Sequence, residues 1–231
     1  MQPTVLLFDI DGTLVTTGGA GRRAMALAFE RLHQRPDACD SFKMSGMTDR
    51  AIVRKGLQLI GVAPTEPAID ALIAAYIAGL HEEIPRVLES DYRLHPGMRE
   101  AVETALTREG FAVGLGTGNV RPGAKVKLER VRLYEQFSFG GFGCDAEDRT
   151  ELIRHGARQG AQRLGQPLEA CRVVVIGDTP KDVEAALGIG AQCIGVGTGS
   201  YSATELRQAG AIFAFDDFSA PGALDALLEG R

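Results

Sequence analysis

Two aspartates near the start of the chain, Asp9 and Asp11, have the type and spacing of an acid pair that does chemistry. They follow a short apolar run that predicts a buried strand, and they precede Gly12. Residues two apart in an extended segment point to the same side, and ligands of open α/β sheets bind at the carboxyl ends of the strands. Two carboxylates held so close need a cation, or a proton on one of them, to offset their repulsion. The pair therefore predicts a metal site or a proton-transfer site, although an Asp-x-Asp-Gly segment taken alone fits a polar turn or a calcium-like loop equally well.

A second acidic pair, Asp178 and Asp182, follows another apolar run that ends in Gly177. If the two strands are neighbours, the acids meet at one edge of the sheet, where hard oxygen ligands suit Mg²⁺. A local explanation also fits: Asp178 or Thr179 caps a helix that starts at Pro180, and Asp182 is a favourable acid in its first turn. This explanation accounts for each residue, but not for the matching ends of the two strands.

The segment Thr117-Gly118-Asn119 ends a third apolar run. Its hydroxyl group and its freely disposed backbone N–H groups can bind phosphate oxygens. A simple turn explains the same residues. Thr117 and Gly118 are therefore candidate phosphate contacts whose assignment depends on the two acidic pairs.

Short runs of β-branched and apolar residues alternate with helical patterns along most of the chain. Met98, Ala101 and Val102, for example, follow the i, i+3, i+4 spacing of a helix that covers a sheet. Such alternation predicts a doubly wound α/β fold, with a parallel Rossmann-like sheet covered on both faces. The predicted strands are Val5–Asp9, Phe111–Thr117, Phe137–Phe142, Arg172–Gly177, Gln192–Val196 and Ile212–Phe215.

One long interval, residues 16–92, has helical patterns and no strand pattern. One clear apolar stripe runs from Ile69 to Leu80 at helical spacing. A second predicted stripe comprises Ala24, Leu27, Ala28 and Leu32. We therefore predict a catalytic core made of residues 1–15 and 93–231, and an inserted all-helical cap domain made of residues 16–92.

The composition is that of an ordinary globular protein and argues against several classes of function. The 231 residues carry a formal net charge of −5, which argues against nucleic acid as the main partner. The four cysteines are widely spaced and form no zinc-binding pattern. No run reaches the roughly 20 apolar residues of a membrane span, and the N-terminal run is too short for a signal peptide. We expect a cytoplasmic protein without a nucleic-acid or membrane partner, either a monomer or a homodimer.

Taken together, these motifs resemble those of the haloacid dehalogenase-like (HAD) superfamily of hydrolases, mainly its phosphatase branch with a helical cap. Segment 9–13 matches the first motif of that superfamily, Thr117 the second and segment 177–182 the fourth. Loop 45–50 is similar to the cap loop of phosphoglycolate-phosphatase-like relatives. The resemblance covers nearly the whole chain and places the helical interval where the superfamily has its cap.

The resemblance implies a role for each acid. Asp9 is the implied nucleophile, which becomes an aspartyl-phosphate, and Asp11 is the general acid that protonates the leaving oxygen and then deprotonates water. Mg²⁺ is the implied cofactor, bound by Asp9, Asp178 and the carbonyl oxygen of Asp11, with Asp182 supporting the metal site. A carboxylate nucleophile that divides phosphoryl transfer into two steps agrees with this assignment.

One motif departs from the family pattern, because the usual lysine ahead of the helix that precedes the Gly-Asp strand is missing. Arg149 is the nearest cation, and we assign the phosphate-binding role to it. A planar guanidinium is not equivalent to the point charge of an ammonium group, so the change bears on turnover more than on phosphate binding. Arg149 is equally compatible with a solvated ion pair to Glu147 or Asp148.

Substrate contacts from the cap are predicted at two places. Arg22 and Arg23 open the first cap helix and can hold an anionic group, although a solvated helix start explains them as well. Loop 45–50 supplies Thr48 and Arg50, with helix capping by Thr48 as the competing explanation.

The expected function is hydrolysis of the phosphomonoester of a small metabolite, such as phosphoglycolate, a sugar phosphate or a nucleotide. A phosphomutase of the same superfamily would use the same two acids, but it has to keep water away from the aspartyl-phosphate. A haloacid dehalogenase is disfavoured, because it uses neither an acid at Asp11 nor a metal. A non-catalytic binder of phosphate ligands is the remaining alternative, since the usual lysine is absent.

Overall fold

A parallel β-sheet forms the centre of the molecule in the computed structural model, which describes residues 2–230. The strands, in chain order, are β1 (Thr4–Phe8), β2 (Val15–Thr17), β3 (Tyr92–Leu94), β4 (Phe111–Thr117), β5 (Gly140–Phe142), β6 (Arg172–Gly177), β7 (Gln192–Val196) and β8 (Phe213–Phe215). Six of them form one sheet in the order β5-β4-β1-β6-β7-β8, and each neighbouring pair is parallel. The predicted α/β fold with a parallel Rossmann-like sheet is confirmed.

Helices cover both faces of this sheet. They are α1 (Ala20–His33), α2 (Asp49–Leu59), α3 (Glu66–Glu83), α4 (Met98–Thr107), α5 (Arg121–Glu129), α6 (Arg149–Arg163), α7 (Pro180–Leu187), α8 (Ala203–Gln208) and α9 (Ala223–Glu229). On one face α4, α5 and α9 pack against Leu6 and Phe8 of β1, and on the other α6, α7 and α8 belong to the same apolar cluster as Val5 and Leu7. All four of these β1 side chains are fully buried, as expected for a central parallel strand. No helix within residues 2–230 combines the length and the apolar character that a membrane crossing requires.

The chain between β2 and β3 is helical, as the sequence predicted, and we call residues 18–91 the helical insertion. It contains α1, α2 and α3, whose apolar side chains build a core that includes Phe29, Leu57 and Leu72. The side chains of Thr48 and Thr65 cap the N-termini of α2 and α3, because each accepts a hydrogen bond from a backbone N–H group in the first turn of its helix. The domain boundaries at residues 15–16 and 92–93 stay a prediction.

The buried face of α1 differs from the predicted stripe. Leu32 is 46% exposed and Leu27 is only partly buried, whereas Met25 and Phe29 are buried beside two alanines of the stripe. Helical spacing is compatible with the predicted face and with the observed one, because both include Ala24 and Ala28 and differ only in the residues next to these alanines. Packing against α3 selects the face with Phe29, since the ring removes more apolar area from water than a leucine does.

Two short strands, β2 and β3, were not predicted. They pair antiparallel, with Val15 opposite Leu94 and Thr17 opposite Tyr92. Each has three residues, too few to show the alternation by which a strand is recognised. The pair joins the two ends of the helical insertion just beyond β1, so it fixes where the insertion lies relative to the sheet.

Candidate active site

The order of the strands brings the predicted acids together. Because β1 lies between β4 and β6, the residues that follow these three strands meet at one edge of the sheet. Carboxylate oxygens of Asp9, Asp178 and Asp182 all lie within 4.8 Å of one another, and the three side chains are buried. The sequence alone placed these acids at strand ends, and the parallel register makes them neighbours.

The carboxyl group of Asp9 is buried and contacts both a hydroxyl group and a cation. Its side chain accepts a hydrogen bond from the Thr117 hydroxyl, and its Oδ2 lies 2.9 Å from an Arg149 nitrogen. Burial raises the pKa of Asp9 to about 6; the charge of Arg149 opposes this rise, and the charge of Asp182 adds to it. At neutral pH the Asp9 carboxylate is therefore ionised, which is the form that a nucleophile needs.

Asp178 lies in a tight backbone cradle. Its Oδ1 accepts the Thr13 hydroxyl at 2.9 Å, and a Cβ built on Gly12 or Gly199 would come within 2.3 Å or 1.8 Å of its Oδ2. Burial raises the pKa of Asp178 well above its usual range, and repulsion from Asp182 and Asp9 adds to the rise. Buried carboxylates that repel one another are a donor set that a hard divalent cation stabilises, so these residues fit a magnesium ion.

Arg149, predicted to replace the missing lysine, reaches the acid cluster. It is the first residue of α6, and its guanidinium contacts both Asp9 and Asp182. Its alternative partner Glu147 instead binds Arg54 of α2, with an N–O distance of 2.9 Å. The side chain of Arg149 is only 9% exposed, so its charge acts in a setting that water screens weakly.

Asp182 has the helix-capping role considered from the sequence and also contacts Arg149. Its Oδ2 accepts the backbone N–H of Thr179 at 3.0 Å and the Thr179 hydroxyl at 2.7 Å, which completes a capping box at the start of α7. Its Oδ1 accepts the Nε of Arg149 at 3.0 Å. The local explanation and the functional one are therefore compatible, since the helix cap also orients the arginine.

Asp11 is not a member of the acid cluster and belongs to a second polar network. Its Oδ2 accepts Lys127 Nζ at 2.6 Å and Asn119 Nδ2 at 2.8 Å. Burial opposes the charge of Lys127, but the attraction of Asp11, with smaller contributions from Tyr76 and Asp49, holds the pKa of this lysine above its usual range. Sequence reasoning missed Lys127, although a signal was present: it lies on the apolar face of α5 beside Leu128, where a lysine is uncommon.

Asp49, the first residue of α2, docks the helical insertion onto the loop after β4. Its backbone N–H donates to the Gly118 carbonyl at 2.8 Å, and its Oδ2 accepts the Val120 N–H at 2.8 Å. A Cβ on Gly118 would come within 2.5 Å of the Met47 carbonyl oxygen. The insertion thus lies directly on the sheet edge, and glycine at position 118 is required for this close contact.

A cavity of about 350 Å³ lies between the acid cluster and the helical insertion. The sheet side of the cavity is polar and acidic, and the insertion adds several apolar side chains. The residues that the insertion contributes are Gly19, Gly21, Arg22, Met25, Met44, Ser45, Gly46, Met47, Asp49, Ile52 and Tyr76. The site is therefore a pocket lined by residues of both the sheet edge and the helical insertion.

The four predicted cap contacts are placed differently by the structure. Arg22 lines the cavity and forms an ion pair with Asp40 at 3.3 Å. Three others are not among the cavity-lining residues. Arg23 binds Glu83 at 2.7 Å and Arg50 binds Asp70 at 2.6 Å, and each ion pair has one exposed member, Arg23 in the first and Asp70 in the second. Thr48 caps α2, as its competing explanation held, and donates its hydroxyl to the Glu147 carbonyl at 3.2 Å.

Asp49→Asn tests how the buried charge of Asp49, at the contact between the helical insertion and the loop after β4, affects the free energy of unfolding. Burial raises the pKa of Asp49 from 3.8 to about 6, so the wild-type protein loses stability as the pH rises through that range, because the folded state resists loss of the proton. An asparagine oxygen can still accept the Val120 N–H without a charge. We expect the variant to be more stable than wild type at pH 8, by up to about 3 kcal/mol, with the difference shrinking towards pH 4. Thermal unfolding of both proteins from pH 4 to pH 8 measures the difference in stability. A difference that does not change with pH would contradict the expectation.

Comparison with known proteins decides the family. A family model described as haloacid dehalogenase-like hydrolase matches residues 3–190, from β1 to beyond the end of α7. The chain belongs to the haloacid dehalogenase-like hydrolases. The resemblance drawn from the motifs is thus confirmed, and the matched segment of this hydrolase includes every acid of the cluster.

Named relatives of this hydrolase extend the likeness to its full length. It is 26% identical over 239 residues to a probable phosphatase, IndB, of Dickeya dadantii, covering 99% of this chain and 96% of the relative. It is 26% identical over 223 residues to a phosphoglycolate phosphatase of Rhodospirillum rubrum, covering 96% and 90% of the two chains. The crystal structure of a hydrolase from Pseudomonas syringae has the same fold, with a TM-score of 0.68, 23% identity and coverage of 99% and 97%.

Proposed function

We propose that this hydrolase is a magnesium-dependent phosphomonoesterase that acts on a small phosphorylated metabolite through an aspartyl-phosphate at Asp9. The observation that carries the proposal is the position of the Asp9 carboxylate. It lies beside the buried cation Arg149 and the acids Asp178 and Asp182, and it lines the cavity. A phosphate group that enters this cavity meets a nucleophile, a cation and a metal-binding set of oxygens at once.

Asp9, Asp178 and the backbone carbonyl of Asp11 are the groups that would hold Mg²⁺. When bound, the ion would offset the charge of the phosphate oxygens and relieve their repulsion from the Asp9 carboxylate. Asp182 supports the arrangement by fixing Arg149 and the start of α7. The closeness of the buried carboxylates supports this assignment, because such a group is unfavourable without a counter-charge.

The proposed reaction has two displacements at phosphorus. In the first, an oxygen of Asp9 forms a bond to phosphorus while the bond to the leaving oxygen breaks, and the Asp11 carboxyl gives its proton to that oxygen. In the second, the Asp11 carboxylate takes a proton from water, and the water oxygen forms a bond to phosphorus while the bond between phosphorus and the Asp9 oxygen breaks. Phosphate leaves, and both acids return to their starting states.

Thr117, Gly118 and Arg149 are the proposed phosphate contacts. The Thr117 oxygen accepts the side-chain amide of Asn119 at 2.9 Å, so its own proton is left to donate towards Asp9 or a phosphate oxygen. The guanidinium of Arg149 can bridge the phosphate and Asp182 with its planar set of donors. An arginine in this position supplies the positive charge that the missing lysine would give.

The substrate is proposed to be small. A cavity of about 350 Å³ is near the lower end of the range for ligand sites, and it suits a leaving group the size of glycolate or a sugar. Arg22 at the cavity wall provides a charge for an anionic substituent, whereas Met25 and Met44 provide apolar contact. Phosphoglycolate, the substrate in the name of the Rhodospirillum relative, and sugar phosphates are therefore the first compounds to test.

Phosphate release from a panel of phosphorylated metabolites tests the proposal. We expect Mg²⁺-dependent release from at least one small phosphomonoester, with the best substrates among compounds of glycolate or sugar size. Steady release also separates the hydrolase from a phosphomutase, which would return the phosphate to a sugar. Binding of phosphate without hydrolysis of any ester in the panel would favour the non-catalytic alternative and overturn the proposal.

A further inference from the structure

Lys127 lies at the junction of the sheet edge and the helical insertion, and its charge is enclosed. Its side chain is 4% exposed, and Nζ donates to Asp11 Oδ2 and to Asn119 Oδ1, each at 2.6 Å. The Tyr76 hydroxyl of α3 is a third hydrogen-bond partner. An ammonium group has three donors, so Lys127 uses all of them on partners from the core and from the insertion.

The two side-chain donors that bind the Asp11 carboxylate contact the same oxygen. Lys127 and Asn119 both bind Oδ2, and the side chain of Asp11 is 44% exposed towards the cavity that it lines. A carboxylate held at one oxygen by two donors cannot rotate freely about its Cβ–Cγ bond. Its other oxygen, Oδ1, therefore keeps a fixed position for exchange with the substrate.

Folding does not require a charge at this position of α5. The helix is anchored by Ala124 and Leu128, which are fully buried, and an apolar side chain of similar length would avoid the desolvation of a buried ammonium. The backbone of the same residue is fixed separately, since Tyr92 donates its hydroxyl to the Lys127 carbonyl at 2.7 Å. The ammonium group is thus best explained by what it contacts, which is the side chain of Asp11.

We propose that Lys127 is a positioning residue for Asp11, and that together with Asn119 it aims the free Asp11 oxygen at the leaving oxygen of the substrate. The inference rests on the proposed function and deepens it. Because Tyr76 of the helical insertion completes the lysine's hydrogen bonds, the aim of Asp11 depends on the insertion being in place over the site. Lys127 itself does not touch the reacting atoms.

The test compares two kinds of leaving group. An alkyl phosphate needs a proton on its leaving oxygen, whereas p-nitrophenyl phosphate expels a stable anion and needs little help from an acid. We expect Lys127→Met to lower kcat/KM for the alkyl phosphate by about 10²-fold, and to change kcat/KM for p-nitrophenyl phosphate much less. Lys125→Met, on the same helix but with a side chain 51% exposed, is the matched control and should leave both values unchanged.

Several results would overturn the proposal. Equal losses for both substrates would show a structural role only, and no loss for either would show that Asp11 is aimed without the lysine. If Lys127→Met does not fold, Asn119→Ala carries the test, because Asn119 binds the same Asp11 oxygen and should show the same selective loss. Wild-type protein that hydrolyses neither substrate would instead overturn the proposed function, and the role of Lys127 with it.

Discussion

Asp9→Asn is expected to abolish turnover, with kcat lowered by about 10⁴-fold or more, the scale of losses when a catalytic nucleophile is removed. The amide keeps the shape of the side chain but has no negative oxygen with which to attack phosphorus. No other acid of the cluster can take over, since Asp182 is engaged by Arg149 and by the capping box of α7. Phosphate release from the best substrate of the metabolite panel measures the loss.

The variant should remain folded, so its inactivity can be attributed to chemistry. Replacing Asp9 removes one of three buried carboxylates that repel one another, although Arg149 loses one of its two acidic partners. Asp70→Asn is a matched control, because Asp70 is an exposed acid in an ion pair with Arg50, and its activity should equal that of wild type. Turnover by folded Asp9→Asn protein would contradict the assignment of the nucleophile.

Removal of Mg²⁺ is expected to lower kcat by about 10³-fold or more, since the ion supplies much of the charge stabilisation in phosphoryl transfer. Asp178→Asn should have a comparable effect, because the amide offers one neutral oxygen in place of a carboxylate. Activity should return when Mg²⁺ is added back to chelated wild-type protein, and should return poorly in the variant.

A second measurement separates metal binding from catalysis. An ion that binds only the folded state raises the Tm, so Mg²⁺ should raise the Tm of wild-type protein and raise it less in Asp178→Asn. Thr13→Val is a milder control, since it removes only one hydrogen bond to Asp178. Metal-free protein that keeps full activity, with a Tm that Mg²⁺ does not change, would contradict the proposed cofactor.

Much of the fold followed from local patterns in the sequence. The runs at β1, β4, β6 and β7 are mostly apolar because helices cover both faces, and such runs are recognisable without knowledge of their neighbours. The acids at the ends of β1 and β6 followed from the same patterns, once the sheet was taken as parallel. The strand at β5 is shorter than predicted, since pairing with β4 begins at Gly140 and not at Phe137.

The parts that sequence reasoning missed depend on contacts between distant segments. Lys127 binds Asp11 across 116 positions of the chain, and Asp49 binds Val120 across 71. Neither contact has a local motif: the apolar spacing of α5 shows that Lys127 lies on the buried face, but it does not show which residue the lysine binds. The surface ion pairs of Arg23 and Arg50 are of the same kind, because their partners Glu83 and Asp70 lie on other turns and helices.

The central claim is that a phosphoryl group is carried by Asp9 during turnover, and chemical trapping tests it most directly. Borohydride reduces an aspartyl-phosphate to homoserine, which changes the mass of the peptide that contains the residue. Wild-type protein quenched during turnover and reduced in this way should contain homoserine at position 9, in an amount that depends on Mg²⁺ and substrate. Homoserine at a different carboxylate, with Asp9 unmodified, would contradict the account.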